Sequence, residues 1–155
     1  MIRRPRVEQL AELRIRGMNT SEDFDPDSLT SLLDVSPTKV WRQGDALRSG
    51  RIHRATVWWW EGRERVERDS EALVLEVLDV FEPVAEQLAE AIRRWGLTVE
   101  IGLVISMYGV VRTDSDNEIG VDLSTPALAF SAETLRRLVR LGATLDIDQY
   151  VIAPE

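Results

Sequence analysis

The chain contains no cysteine, a single histidine (His53) and a single lysine (Lys39). The absence of cysteine excludes disulfides, thiolate zinc sites and cysteine nucleophiles. No run approaches the roughly 20 apolar residues that span a bilayer, and the segment from Met1 to Gly17 lacks the continuous apolar core of a signal peptide. We therefore expect a cytoplasmic protein without a membrane partner.

What the chain does contain is ordinary globular material. Its 155 residues are 44% apolar and 30% charged, which fits one domain with a core that needs no cross-links. Residues 1–6 are expected to form a flexible basic tail, and residues 7–155 a single domain. The net charge of −8 argues against nucleic acid as a partner, because phosphates repel an acidic surface.

Charge is unevenly distributed along the chain. Residues 39–68 carry eight basic and four acidic side chains, whereas residues 69–90 carry seven acidic side chains and no basic one. Such blocks usually form the solvated faces of neighbouring elements, and they also suit a partner with its own charge pattern.

Alternation of apolar and polar residues predicts the strands. The predicted strands are residues 11–15, 54–60 with a hairpin to 64–67, 97–108, 119–123 and 143–151. Because most of these strands have one polar face, they fit a mainly antiparallel or mixed sheet that is covered on one side only. The uncovered face is expected to carry Arg14, Arg16, Glu100, Ser106, Asp146, Asp148 and part of the tryptophan run.

Three segments carry the apolar stripe and the end signals of helices. The first begins at Asp25 and ends at Ser36-Pro37. The second runs from Asp69 to Gly96, and Pro83 is expected to kink or break it, because proline cannot continue the helical hydrogen bonds. The third begins at Ser131, and its predicted inward residues are Leu135, Leu138, Val139 and Leu141. Together with the strands, these helices predict an α+β fold, a two-layer sandwich with the helices on one face of the sheet.

Three consecutive tryptophans, Trp58, Trp59 and Trp60, are the most unusual feature of the chain. In a strand, Trp58 and Trp60 share one face and Trp59 takes the other. We expect Trp59 to lie in the core and Trp58 and Trp60 to form a binding surface beside the arginine-rich loop 42–54. Simple coverage of the sheet remains the alternative, because indoles also serve as packing.

Other polar residues are weaker candidates for a site. Arg14 and Arg16 could meet Asp146 and Asp148 if the first and last strands are neighbours, either as a polar site or as ordinary ion pairs. In the loop 42–54, Arg42, Arg51 and His53 complete the set of candidate binding residues.

The sequence predicts no catalytic residue, cofactor or metal. His53 has no evident nucleophile to activate. The acidic segment 114–118 resembles the start of a calcium loop, but Ile119 stands where that loop needs glycine and Thr125 where it needs glutamate.

Several short motifs resemble those of one family when they are taken in order. They are Phe-Asp-Pro-Asp at residues 24–27, Leu-Leu-Asp-Val-Ser-Pro-Thr at 32–38, Trp-Arg-Gln-Gly-Asp at 41–45, the tryptophans at 58–60 and Leu-Gly-Ala-Thr-Leu-Asp-Ile-Asp-Gln-Tyr at 141–150. Over most of residues 11–152 the chain is similar to the bacterial domain-of-unknown-function family numbered 4279. The resemblance implies a small cytoplasmic single-domain protein with an immunity-like role. It brings no activity, cofactor or site residue.

Two classes of function are left. The first is a non-catalytic interaction module, for instance an immunity-like protein that masks a toxin, because acidic charge with exposed aromatic rings suits a basic protein partner. The second is a small-ligand binder or a hydrolase-type enzyme that uses the loop Arg42–Arg54 with Asp146 and Asp148. The first class needs a broad exposed patch, whereas the second needs a concave pocket with perturbed titratable groups.

Overall fold

Seven strands and four α-helices form the part of the chain that this computed structural model describes, which is residues 4–17, 24–47, 49–67, 69–113 and 119–152. The strands are β1 (Arg6–Gly17), β2 (Lys39–Trp41), β3 (Val57–Glu61), β4 (Leu97–Tyr108), β5 (Val110–Thr113), β6 (Ile119–Asp122) and β7 (Ala143–Ile152). The helices are α1 (Pro26–Leu33), α2 (Ser70–Phe81), α3 (Ala85–Trp95) and α4 (Ala132–Leu141). Residues 1–3 of the expected tail lie outside the described residues.

Five strands form one mixed sheet in the order β2-β3-β1-β4-β7. The pairs from β2 to β4 are antiparallel, and β7 joins β4 in parallel. A separate two-stranded hairpin, β5-β6, follows β4. These findings confirm the predicted α+β class with a mixed sheet. None of the helices in the described part of the chain is long and apolar enough to cross a membrane.

The core lies between the helices and one face of β1 and β4. These two strands pair along their whole length, from Arg6 opposite Tyr108 to Gly17 opposite Leu97. Because side chains alternate across a strand, the apolar positions of both strands point to the same side, where the helices cover them. The fully buried large side chains are Leu13, Ile15, Leu29, Leu33, Trp58, Leu73, Leu78, Phe81, Leu88, Ile101, Leu103 and Ile105.

The predicted break in the long helical segment is confirmed. The helix α2 ends at Phe81, a 3₁₀ turn follows at Glu82–Val84, and α3 begins at Ala85. Pro83 lies in that turn. Because the regular helix is already interrupted there, the N–H that proline lacks is not needed for a helical hydrogen bond. Gly96 then ends α3 in the left-handed conformation, with a φ of 62°.

Four features differ from the prediction. The helix α1 ends at Leu33 rather than at Ser36-Pro37, because Asp34 already adopts the left-handed conformation. The loop after it contains β2, and β5 was not predicted. Residues 64–67 form no hairpin with β3. Instead Arg65 pairs with Gln9 of β1, because the Gly62 N–H bonds to Ala11 O and keeps the chain beside β1.

The orientation of α4 also corrects the prediction. Leu138 and Leu141 are buried as expected, together with Thr134, but Leu135 and Val139 point to solvent. Residues 134, 138 and 141 lie on one stripe of the helix, and Leu135 and Val139 lie on a neighbouring stripe about 100° away. The helices α2 and α3 and the strand β7 cover only the first of these two stripes.

Glu71 of α2 fastens the start of α4. Its Oε1 accepts hydrogen bonds from the Ser131 N–H at 2.6 Å and from the Thr134 hydroxyl at 2.5 Å. These bonds favour the ionised carboxylate and lower the pKa of Glu71 below its usual value of 4.5. The bond from Thr134 has the largest effect.

A carboxyl group with a depressed pKa in the folded state stabilises the fold above its ordinary pKa, and this contribution is lost as the pH falls toward the folded value. We therefore expect Glu71→Gln to lose less stability than the wild type between pH ~5 and pH ~3. Urea unfolding across this range measures the difference. Glu86→Gln, on the exposed side of α3, is the control and should follow the wild type. Parallel curves for wild type and Glu71→Gln would contradict the assigned role.

Candidate functional site

The register of β3 against β1 decides where each tryptophan points. Trp58 is opposite Ile15 and Trp59 is opposite Arg14. Because Ile15 faces the core, Trp58 faces it too and is fully buried, while Trp59 lies on the open face of the sheet. Two predictions are therefore wrong: Trp58 is not part of a surface, and Trp59 is not part of the core.

Trp58 is held by both packing and a hydrogen bond. Its Nε1 donates to Oγ1 of Thr30 on α1 at 3.0 Å, and its ring meets Phe81 edge-on with 6.1 Å between ring centroids. This arrangement satisfies the polar group of a buried indole. Trp58 is thus an anchor between sheet and helices.

Trp60 is the only member of the predicted pair that reaches the surface. It is half-buried, packs edge-on against Phe81 at 5.5 Å and lines an open groove of about 520 Å³ between the end of β3 and α2. Glu76 also lines this groove and pairs with Arg65 at 2.7 Å. The groove is therefore shallow and already partly occupied by the chain's own ion pair.

On the open face, Trp59 belongs to an aromatic cluster, which we define as Trp41, His53 and Trp59. The ring centroids of Trp41 and Trp59 lie 4.6 Å apart, and His53 stacks on Trp41 at 5.4 Å. Lys39 and Arg14 lie over the Trp59 ring at 4.9 and 5.4 Å. Since cations already cover this ring, its faces are largely used within the fold.

A group of charges lies beside the aromatic cluster. Arg14 pairs with Glu12, with Glu100 at 3.0 Å and, more distantly, with Asp148 at 4.0 Å. Arg16 also reaches Glu100, at 3.5 Å. Asp146 forms no ion pair with any residue in the described ranges. The predicted meeting of Arg14 with Asp148 therefore occurs, although β4 separates β1 from β7.

A glycine in β4 makes this contact across an intervening strand possible. Gly102 lies between Glu12 on β1 and Asp146 on β7. A Cβ atom there would lie 2.9 Å from Oε1 of Glu12 and 3.1 Å from Nη2 of Arg14, closer than normal packing allows. The missing side chain thus gives Arg14 room to lie across β4.

Glu12 is the most unusual titratable group of this face, because only 1% of its surface is exposed. Burial raises the pKa of Glu12 above its usual value, while the Arg14 guanidinium and the Trp59 indole favour the ionised form and limit the rise. Sequence reasoning missed this residue, because Glu12 alternates with apolar positions as a solvent-facing residue does.

The loop 42–54 is structured mainly by its own contacts. Arg42 binds Asp25 at 3.0 Å and Asp27 at 2.8 Å, at the start of α1, and it lowers the pKa of Asp25. Arg51 is exposed and forms no ion pair with residues that the structure describes. Of the predicted loop residues, Arg42 ties the loop to α1 and His53 joins the aromatic cluster.

The two halves of the alternative ligand site lie at opposite edges of the sheet. The loop 42–54 connects β2 to β3, whereas Asp146 and Asp148 lie on β7. Four strand spacings separate β2 from β7, which is about 19 Å. These residues therefore do not surround one small-molecule pocket.

No group of three or more histidine, cysteine, aspartate or glutamate side chains is placed to hold a metal ion within the described ranges. The acidic segment 114–118, which was compared with a calcium loop, lies outside them.

Exposed apolar side chains concentrate elsewhere. Eleven of the fourteen large apolar side chains that are exposed in the described part of the chain lie within residues 111–152. We call the following set the C-terminal apolar surface: Val111, Ile119, Val121, Leu135, Val139, Ile147 and Val151. Sequence reasoning placed Leu135 and Val139 in the core.

This surface belongs to the last third of the fold. Val139 is 78% exposed on α4, where it lines an open groove of about 530 Å³ with Leu135 and charged neighbours. Val151 is 60% exposed on β7. The hairpin β5-β6 approaches the end of β7, because Gly109 lies against Val121 and donates a hydrogen bond to Ile152 O. The chain thus presents apolar side chains on three successive elements.

The described architecture is an α+β protein with a mixed sheet, a one-sided helical layer and an apolar edge. The chain belongs to the family described as "Domain of unknown function (DUF4279)", whose model matches residues 8–152. This match confirms the family resemblance that the sequence motifs indicated. No curated protein and no solved structure matches the chain.

Proposed function

We propose that this protein is a non-catalytic module that binds another protein through its C-terminal apolar surface. The observation that carries the proposal is the concentration of exposed apolar side chains within residues 111–152. Large apolar side chains are costly to leave in water, and their concentration in one part of a fold commonly marks a site for a partner. An immunity-like role, in which the module masks a basic toxin such as a nuclease, fits the net charge of −8.

The location differs from the one expected from the sequence. Trp58 is buried, and the Trp59 ring is covered by Lys39 and Arg14, so neither offers a free aromatic face. The hydrolase-type alternative lacks a common pocket for its residues, because the loop 42–54 and β7 lie at opposite edges of the sheet. We therefore favour binding over catalysis.

Single charge insertions test this proposal. Val139→Glu and Val151→Glu should fold normally, because both side chains are exposed, and each should reduce partner capture by about tenfold or more. The measurement is affinity capture of the tagged chain in its native host, with captured proteins quantified against wild type. Ile52→Glu is the matched control, because Ile52 lies in the loop 42–54 and is about as exposed as Val151.

The control separates the two surfaces. Ile52→Glu should capture the partner at the wild-type level. Loss of capture with Ile52→Glu but not with Val139→Glu or Val151→Glu would move the binding site to the loop and reject the proposed surface.

A further inference from the structure

We propose that β7 is a docking edge for an extended strand of a partner protein, and that this strand carries basic residues at alternate positions. The inference rests on the proposed function and specifies the chemistry of the partner. Its basis is the free edge of β7 together with the side chains on the two faces of that strand.

β7 ends the sheet on one side. It pairs with β4 along all ten of its residues, and its other edge has no partner strand among the residues that the structure describes. Such an edge presents a row of backbone N–H and C=O groups, which an added strand can pair with. Ten residues correspond to about 33 Å of pairing length.

The two faces of β7 differ in chemistry. Asp146 and Asp148 lie on the open face of the sheet, opposite Gly102 and Val104 of β4. Ile147 and Val151 lie on the helical face and remain exposed, because the helices do not extend over this part of β7. A strand added here would place one set of its side chains beside two carboxylates and the alternate set beside apolar groups.

The carboxylates of β7 are only partly neutralised within the fold. Arg14 is shared among Glu12, Glu100 and Asp148, and its distance to Asp148 is 4.0 Å. Asp146 has no ion-pair partner in the described ranges. Lysine or arginine on an added strand would lie directly opposite these groups, and opposite charges on neighbouring strands attract.

A second copy of this chain fits the edge poorly. In an antiparallel pairing of two β7 strands centred on Ile147, Asp146 of each copy would lie opposite Asp148 of the other. Centring the pair on Asp146 or Asp148 places that aspartate opposite itself. Like charges on directly opposed positions destabilise strand pairing, so the acidic face disfavours a homodimer in these registers and favours a basic strand.

The strand β2, at the other edge of the sheet, differs from β7 in its charged side chains. Lys39 lies on β2 and on the open face, next to Trp59, and it pairs with Glu61 at 2.9 Å. The strand β2 has only three residues, so it offers a short edge and a carboxylate that is already paired with a lysine. The longer edge with the less compensated carboxylates therefore directs a basic strand to β7.

Binding of a synthetic strand tests the inference without knowledge of the partner. The probe is a ten-residue peptide of alternating lysine and valine, and the comparison is the same design with glutamate in place of lysine. We expect the lysine peptide to bind and to slow amide hydrogen exchange in β7, and the glutamate peptide to bind at least tenfold more weakly.

Paired variants locate the contact. Asp146→Lys with Asp148→Lys should weaken binding of the lysine peptide by about tenfold or more. Glu86→Lys with Glu90→Lys makes the same change of net charge on exposed positions of α3, so it should alter binding less than about twofold. If the double variant Asp146→Lys with Asp148→Lys has a lower melting temperature than wild type, the double variant Asp146→Asn with Asp148→Asn is used in its place. It should weaken binding of the lysine peptide by a smaller factor.

Several results would overturn the inference. They are equal binding of both peptides, equal weakening by the two lysine pairs, protection of β2 instead of β7, or self-association of the wild type through β7. Capture of a host partner that depends on Val139 or Val151 but not on Asp146 and Asp148 would also reject strand addition. That last outcome would leave the proposed function intact.

Discussion

Replacing Leu78 by aspartate is expected to abolish the native fold. Leu78 is fully buried on α2, against the sheet. Truncating a buried leucine alone costs about 2–5 kcal/mol, and an unpaired carboxylate in the core adds a desolvation penalty. Because a domain of this size is stable by only about 5–15 kcal/mol, little or no native protein should remain.

Circular dichroism and thermal melting measure this effect. Gln87→Asp adds the same charge at an exposed position of α3 and should melt within a few degrees of wild type. A Leu78→Asp protein that melts cooperatively near the wild-type temperature would show that α2 does not pack as the structure has it.

Truncating Trp58 to alanine should cost roughly 3–5 kcal/mol of unfolding free energy. The change removes a fully buried indole, its edge contact with Phe81 and the hydrogen bond to Thr30. Trp58→Phe keeps much of the ring and should lose less. Denaturant unfolding with a common m-value for all variants gives these differences.

Trp60 provides the matched comparison within the same strand. Trp60→Ala should be less destabilising than Trp58→Ala, because Trp60 is only half-buried. Equal losses for the two variants would contradict the assigned difference in burial. If Trp58→Ala left the free energy of unfolding nearly unchanged, Trp58 would have to lie at the surface, as the sequence analysis predicted.

Sequence patterns correctly predicted those features that depend on interactions between neighbouring residues. The break at Pro83, the cap at Asp25 and the full extent of β4 follow from backbone constraints and from regular apolar spacing. Proline, glycine and capping side chains act on their immediate neighbours, so their effects are readable without a partner strand.

The candidate site was less accessible to the same reasoning. A run of three identical residues shows no alternation of apolar and polar side chains. Strand geometry therefore places Trp59 on the face opposite to Trp58 and Trp60, but it does not tell which face is the core. The pairing of Trp58 with Ile15 decides the question. Likewise, Leu135 and Val139 have apolar side chains at helical spacing, but only the position of α4 over the sheet leaves them in water.

The sequence by itself therefore determined the family, the α+β class, most helix ends and the absence of cysteine chemistry. The tertiary structure alone decided which tryptophan is buried, how Gly102 lets Arg14 lie across β4, and where the apolar surface lies. The physical reason is the range of the interactions. Capping and apolar spacing act within a few residues, whereas strand register and burial depend on contacts between segments far apart in the chain, such as β1 and β4.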